Sequence, residues 1–228
     1  MQKLFQIILF LSCLTVFSQE EPNFSAVDSL YREDQFYFGV TYNVLNLKPK
    51  DVSQNSFSTG LSLGFLRDFP INKDRTFAIA SGLGFSYNNY KENLVVDNLD
   101  GTINYSIIES GINYKKNKLA LYFVDLPIEF RWRTSTFDSH KFWRVYTGFK
   151  LSYLILSQSR YLDATQNFKI NNNPDINKMH YGAYISAGYN SWNLYAYYGL
   201  QNMFKNGSLN GNPIEISTLN IGLMFYVL

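Results

Sequence analysis

Large apolar residues alternate with small ones along most of this chain, and the small ones constrain it most. Phe57-Ser-Thr-Gly-Leu-Ser-Leu-Gly-Phe65, Phe77-Ala-Ile-Ala-Ser-Gly-Leu-Gly-Phe-Ser-Tyr87 and Leu219-Asn-Ile-Gly-Leu-Met-Phe-Tyr-Val227 all keep a period of two. That period marks strands, and no segment shows a sustained helical period. A soluble barrel or sandwich needs Lys, Glu or Thr opposite its large residues, because that face meets water. Here the opposite face is Ser58, Gly60, Ser62 and Gly64, then Ala78, Ala80, Gly82 and Gly84. Such residues solvate a surface poorly but fit a cramped lumen. The large residues then face lipid, where every backbone polar group needs a partner and a closed barrel is one of two solutions.

Eight alternating segments are legible: 36–45, 57–67, 76–87, 119–132, 142–154, 179–190, 193–203 and 216–227. Each is near the ~9–11 residues that a tilted strand needs to cross a bilayer. Connections 46–56, 88–118, 155–178 and 204–215 are long and polar, whereas 68–75, 133–141 and 191–192 are shorter. Long outer loops and short periplasmic turns belong to an outer-membrane barrel, and an even strand number puts both chain ends in the periplasm. The expected fold is all-β, an eight-stranded antiparallel transmembrane β-barrel over residues 36–228. Tyr87, Trp132, Tyr153 and Tyr189 fall near strand ends, where an aromatic girdle belongs. Composition agrees: charged residues are 17 % and aromatic ones 18 % of the 228, against about 25 % charged in soluble domains. A net charge of +2 gives no reason to expect nucleic acid. One cysteine and two histidines leave little material for a metal site, and no cofactor is expected.

Residues 1–18 read as a signal peptide, with Lys3 before an apolar stretch over 4–17 and cleavage after Ser18. A lipoprotein carrying acyl chains on Cys13 is the alternative, opposed by bulky Phe10 and the apolar run after Cys13. Residues 19–35 are expected to form a periplasmic segment, and the chain to reside in the outer membrane of a Gram-negative bacterium. Its expected partners are outer-membrane lipid and the barrel-insertion machinery, for which Gly222, Phe225 and Val227 form a terminal signal ending in Leu228.

Parity also assigns the lumen. Asp125, Glu129 and Arg131 of the fourth segment should face inward, as should Arg144 and Lys150 of the fifth. Antiparallel pairing sets Asp125 and Glu129 against Arg144 and Lys150. Charges in a narrow lumen must pair or cost several kcal/mol each, which predicts a salt-bridged plug, with an ion or proton path as the alternative. Pro127 lacks a ladder donor, which predicts a bulge.

Catalytic material is sparse. His140 and His180 are the histidines; Ser157 and Ser159 lie within reach of His180, but no acidic residue is placed to orient it. The chain is therefore expected not to be an enzyme. The outer loops, including residues 171–175, read as solvated segments. The turn over 67–75 differs: Arg67, Asp68, Lys73, Asp74 and Arg75 carry charge, Phe69 and Ile71 are apolar, and Pro70 stiffens it. This pattern suits docking of a periplasmic partner, although Phe69 and Ile71 equally suit an inner lipid girdle.

Tyr122-Phe-Val-Asp-Leu-Pro-Ile-Glu-Phe-Arg131 resembles a strand of the PorT-like family of small outer-membrane barrels. Val145-Tyr-Thr-Gly-Phe-Lys-Leu-Ser152 resembles the strand after it, although the family often has Gly-Pro where this chain has Gly148-Phe149. Asn193-Leu-Tyr-Ala-Tyr-Tyr-Gly-Leu-Gln-Asn202 resembles the family's seventh strand. Arg32-Glu-Asp-Gln-Phe-Tyr-Phe-Gly-Val-Thr-Tyr42 and Gly64-Phe-Leu-Arg-Asp-Phe-Pro-Ile-Asn-Lys-Asp-Arg75 resemble family members of the type IX secretion system. That resemblance implies a non-enzymatic role in protein export and, in gliding bacteria, in surface delivery of adhesins, with subunits of the secretion machine as partners. It offers no catalytic residues. A structural or small-solute barrel without a secretion role and a lipid-modifying enzyme are the competing classes.

Overall fold

The alternating segments form strands β1 (Gln35–Asn46), β2 (Thr59–Pro70), β3 (Phe77–Tyr90), β4 (Leu94–Leu99), β5 (Thr102–Ile107), β6 (Tyr114–Arg133), β7 (Trp143–Asp163), β8 (Asn167–Asn171), β9 (Met179–Tyr189), β10 (Trp192–Gly199), β11 (Ser208–Leu209), β12 (Asn212–Pro213) and β13 (Ser217–Val227). The computed structural model describes residues 31–54, 56–99, 101–109, 111–136 and 141–227. The expected signal peptide with Cys13, most of the expected periplasmic segment, His140 and Leu228 lie outside these residues.

Eight strands close into an antiparallel barrel in the order β1-β2-β3-β6-β7-β9-β10-β13. The first and last strands pair from Phe36 opposite Val227 to Asn46 opposite Ser217, so no barrel edge stays open. The all-β, eight-stranded transmembrane fold expected from the periodicity is the fold observed.

Parity holds around the barrel. Phe36, Phe38, Val40, Leu61, Leu63, Phe85, Ile128, Phe149, Leu194 and Ile221 are exposed on the outside, while Ala78, Ala80 and Tyr146 are fully buried inside. Aromatic pairs rim this apolar band. Phe36–Phe65, Phe77–Phe130 and Trp192–Phe225 lie at the end where β1 begins and β13 stops, and Tyr42–Phe57 and Tyr87–Tyr122 at the other. From Tyr122 to Trp132 the strand rises about 33 Å, or about 25 Å in height once tilted, which matches an outer-membrane apolar band. Tight packing inside explains the glycines. A Cβ on Gly84 would collide with the Tyr37 hydroxyl and the Leu63 carbonyl, and one on Gly64 with the same tyrosine ring.

Several strands outrun their expected limits. β2 continues to Pro70, β6 begins at Tyr114 and β7 runs to Asp163, whereas β10 stops at Gly199. Residues 114–121 of β6 and 154–163 of β7 rise above the outer tyrosine ring, and there β8 takes the place that β9 holds below.

The outer loops are not the solvated segments that their polar composition suggests. They carry the β4–β5 and β11–β12 hairpins, and Val52, Leu94, Ile176, Met203, Leu209 and Ile214 are gathered into one buried cluster. Leu121, Phe123 and Leu154 of the barrel join it, so the cluster stoppers the outer end. Within residues 171–175, Asn173 is buried and bonds the Tyr105 hydroxyl, which in turn donates to Asp175. Apolar residues were scattered singly among Asn, Lys and Ser, which hid a core that only the fold assembles.

The bulge expected at Pro127 does not occur. The β6–β7 register passes Pro127 in step; the β3–β6 ladder skips Leu126 and Pro127 but keeps the same register on either side, and the Pro127 carbonyl accepts a bond from Ser81 at 3.1 Å. The extended backbone tolerates a missing donor there without an inserted residue. The register instead shifts between Tyr122 and Phe123 and between Tyr114 and Lys116.

Leu223 faces lipid and Asn220 faces the lumen. A Leu223→Arg variant should fail to insert, since a charge at mid-membrane costs about 2–4 kcal/mol. Asn220→Ser should insert normally. Heat-modifiable gel shifts of membrane fractions check the pair.

Candidate functional site in the barrel lumen

The charged residues of the lumen form two clusters, set by strand parity. The larger sits at the periplasmic mouth around Asp68, which is fully buried. Arg133 donates to both oxygens of Asp68 at 2.8 Å, and Arg131 to one of them at 3.0 Å. A planar guanidinium fork is suited to grip a carboxylate with two bonds. Arg131 also donates to Glu129 at 2.8 Å and to the backbone carbonyl of Glu33 at 3.1 Å. Its guanidinium lies over the ring of Tyr146 at 4.7 Å. Tyr184 and Tyr226 donate to the other oxygen of Glu129 at 3.0 and 3.1 Å.

The second cluster sits deeper. Lys150 lies 3.7 Å from Asp125, which also accepts a bond from Ser152 at 2.6 Å. The ammonium lies 4.5 Å from the centre of the Tyr197 ring. Counted by sign, the lumen sets Glu33, Asp68, Asp125 and Glu129 against Arg131, Arg133, Arg144 and Lys150. Among the described residues, four of each sign let the charges compensate where burial would otherwise cost several kcal/mol per ion.

Of the five lumen residues assigned from sequence, the structure brings Asp125 to Lys150 and Glu129 to Arg131. Arg144, expected opposite Asp125 and Glu129 together with Lys150, forms an ion pair with neither. Register places Glu129 opposite Gly148 and sets Arg144 opposite Arg133. Arg144 instead packs over Phe142 at 4.4 Å, with Tyr146 and Tyr226 farther off.

Asp68 needs the clearest correction. It was expected in the periplasmic docking turn, but β2 runs past it and turns it into the lumen. Arg67, Phe69, Pro70 and Ile71 lie on or beside the end of that strand, with Phe69 and Ile71 exposed, and Lys73, Asp74 and Arg75 form the turn proper. Parity also places Tyr146 inward, as observed, whereas Arg133, Glu33 and the lumen tyrosines Tyr37, Tyr184, Tyr195 and Tyr226 do not figure in the sequence reading of the lumen. Alternation of Phe65, Arg67 and Phe69 on one face with Leu66 and Asp68 on the other was the available signal.

Asp68 also ties the chain's entry to the mouth. The Glu33 amide donates to its carboxylate at 3.4 Å, and the Asp68 amide donates to Asp34 at 2.8 Å. His180 stacks edge-on with Phe123 and bonds the Asn177 carbonyl at 2.8 Å. Ser157 accepts from the Asn173 amide and is engaged in the loop. No group of three His, Cys, Asp or Glu side chains is placed to hold a metal among the described residues. Two voids of about 20 Å³ lie between the lumen side chains, each with space for a water.

A closed eight-stranded barrel with a lipid-facing apolar band and a filled, charge-compensated lumen defines an outer-membrane β-barrel protein. The chain belongs to the outer membrane protein beta-barrel domain family, whose model matches residues 17–205. Similar solved structures include the crystal structure of Ail, the attachment invasion locus protein of Yersinia pestis. It is 12 % identical, with 87 % of this chain and 100 % of that chain covered and a TM-score of 0.38. The same protein in complex with the heparin analogue sucrose octasulfate is 11 % identical over the same shares, again at 0.38. No curated protein sequence matches significantly.

Removing the Asp68 carboxylate takes the two-bond partner from the buried Arg133 guanidinium and leaves Arg131 with Glu129 alone. Asp68→Ala should therefore destabilise the barrel by about 3–5 kcal/mol. Equilibrium urea unfolding of the refolded barrel measures the loss.

A second prediction comes from the outer cap, above the membrane. Burial pushes the Glu92 carboxyl up to about 8, with Lys48 pulling weakly the other way. The closed cap thus holds a proton that the opened loop releases. Closure is at its firmest below the unperturbed carboxylate range, weakens as pH rises, and levels off above about 8. Hydrogen exchange at β4 and β5, corrected for intrinsic rates, should quicken between about pH 5 and pH 8, and Glu92→Gln should abolish that trend.

Proposed function

We propose that this barrel is a non-enzymatic component of the type IX protein secretion system. It acts by holding other subunits at the outer membrane, and exported proteins do not pass through it. The observation that carries the reading is the stoppered lumen. An eight-stranded barrel has room only for side chains, and here the mouth is filled by the Asp68–Arg131–Arg133 cluster and the outer end by an apolar core. Any part in export must then run through its surfaces.

The two segments that resemble secretion-system members support the same reading from another side. One supplies Glu33 and Asp34, the other supplies Asp68, and these residues bond one another at the periplasmic mouth. The 71–76 turn lies beside them, and Asn72 braces it through bonds to Phe77 and Thr76. A rigid turn next to the anchored start of the barrel offers a periplasmic subunit a fixed place to dock.

Deletion of the gene should abolish release of proteins carried by the type IX system, and spreading in a gliding host, without altering small-solute uptake. Replacing Lys73 and Asp74 with a Gly-Asn pair should leave the barrel at wild-type level yet reduce secretion. Immunoblots of culture medium and of outer-membrane fractions check both. Normal secretion with altered solute uptake would point to a solute barrel instead.

A further inference from the structure

Cations stand in a row across neighbouring strands above the membrane band. In the β6–β7 register Lys118 lies opposite Arg160, and in the β7–β8 register Arg160 lies opposite Lys169. β3 and β6 pair Tyr90 with Leu119, which puts Lys91 next in line beside Lys118. Lys116, two residues before Lys118, shares its face, and Lys115 is the extra residue of the bulge between Tyr114 and Lys116.

Like charges directly opposite each other destabilise a sheet. Nothing here offsets them. Among the described residues, no carboxylate forms an ion pair with Lys91, Lys116, Lys118, Arg160 or Lys169. Of the nearest acids, Glu92 is buried on the other side of the strand line from Lys91, and Asp163 is committed to the amides of Thr165 and Gln166 and to the Tyr161 hydroxyl. Burial first, then repulsion from Lys116, Arg160 and Lys91, pulls the Lys118 ammonium below its ordinary range. Lys91, Lys116 and Lys118 line one concavity of about 190 Å³.

The position of the row identifies its ligand. Tyr87 and Tyr122 face each other on the outside of the barrel, at the outer edge of the apolar band. Lys91 and Lys118 lie four residues beyond them on the same face. Four residues of tilted strand climb about 10 Å, which is headgroup depth. A cationic row that faces outward at that depth meets lipid headgroups.

We propose that Lys91, Lys116, Lys118 and Arg160 bind the phosphates of glycolipid headgroups in the outer leaflet. Lysines act as point charges toward phosphate, and arginine adds a two-bond fork. The phosphate supplies the counter-charge that the protein lacks. The proposal does not depend on a role in secretion.

The test uses the refolded barrel in detergent, with bisphosphorylated lipid A, its dephosphorylated form and inorganic pyrophosphate as probes. Native mass spectrometry should show the wild type retaining lipid A, and a Lys91→Gln/Lys118→Gln/Arg160→Gln variant should lose about tenfold or more in retention. Lys73→Gln, at the other end of the barrel, should retain it fully. Heat-modifiable gel shifts confirm that each variant is folded. In phosphate-free neutral detergent Lys118→Gln should melt higher than wild type, because a repulsion has been removed, and lipid A should reverse that order. Equal retention by the wild type and the triple variant, or equal retention of dephosphorylated lipid A, overturns the proposal. Tighter binding of pyrophosphate than of lipid A overturns the lipid assignment, and unchanged melting of Lys118→Gln overturns the repulsion on which it rests.

Discussion

Barrel closure in lipid sets every other requirement of this molecule. A membrane offers the backbone no water, so each N–H and C=O must find a partner strand, and an eight-stranded circuit does this with the narrowest interior. A narrow interior must be filled, and whatever fills it is buried. Aromatic side chains take most of the volume, with Tyr37, Tyr146, Tyr184, Tyr195 and Tyr226 in one buried cluster. Glycines opposite them supply the room: Gly64 and Gly84 exist as glycines because the Tyr37 ring occupies the space of their missing Cβ atoms.

The same constraint explains the form of the charge network. Arg131 and Arg133 enter the lumen two residues apart on one strand face, so their repulsion is built in. Asp68, two strands away, answers both at once with bonds of 2.8 to 3.0 Å. Glu129 takes the remaining reach of Arg131 and is itself held by two tyrosine hydroxyls. A stable plug therefore does not need a run of acids facing a run of bases. Two carboxylates with fixed geometry, Asp68 shared between the guanidinium groups and Glu129 backed by phenols, hold both arginines.

Strand parity made the barrel and most of its inward residues legible in the sequence, because alternation is a local property that survives folding. Asp125, Glu129, Arg131, Arg144 and Lys150 all lie on the face that parity gave them. Pairings between strands were less legible. The partner of Glu129 depends on register, which a proline and a nine-residue connection do not specify. Asp68 was missed because charged and proline-containing text looks like a turn, although the alternation continues through it. The outer core was the least legible part, since its members are far apart in sequence and each sits in polar surroundings.

The charges of the chain fall into three regimes by height, and each follows from what surrounds it. Inside the barrel, acids and bases are matched, because an unmatched ion there has no solvent to turn to. On the lipid face of the band, from Tyr122 to Trp132, β6 presents only apolar and aromatic side chains. Above the outer tyrosine ring the chain sets cation beside cation on adjacent strands and leaves them without acids. Water alone would screen such a row only in part, and the sheet would bear the repulsion. A sequence that balances its charges so closely in the lumen has the residues to balance them here as well. What sets this level apart is that its cations stand opposite one another in register, at the height where the membrane itself brings phosphate, and that phosphate is the counter-charge we propose for them.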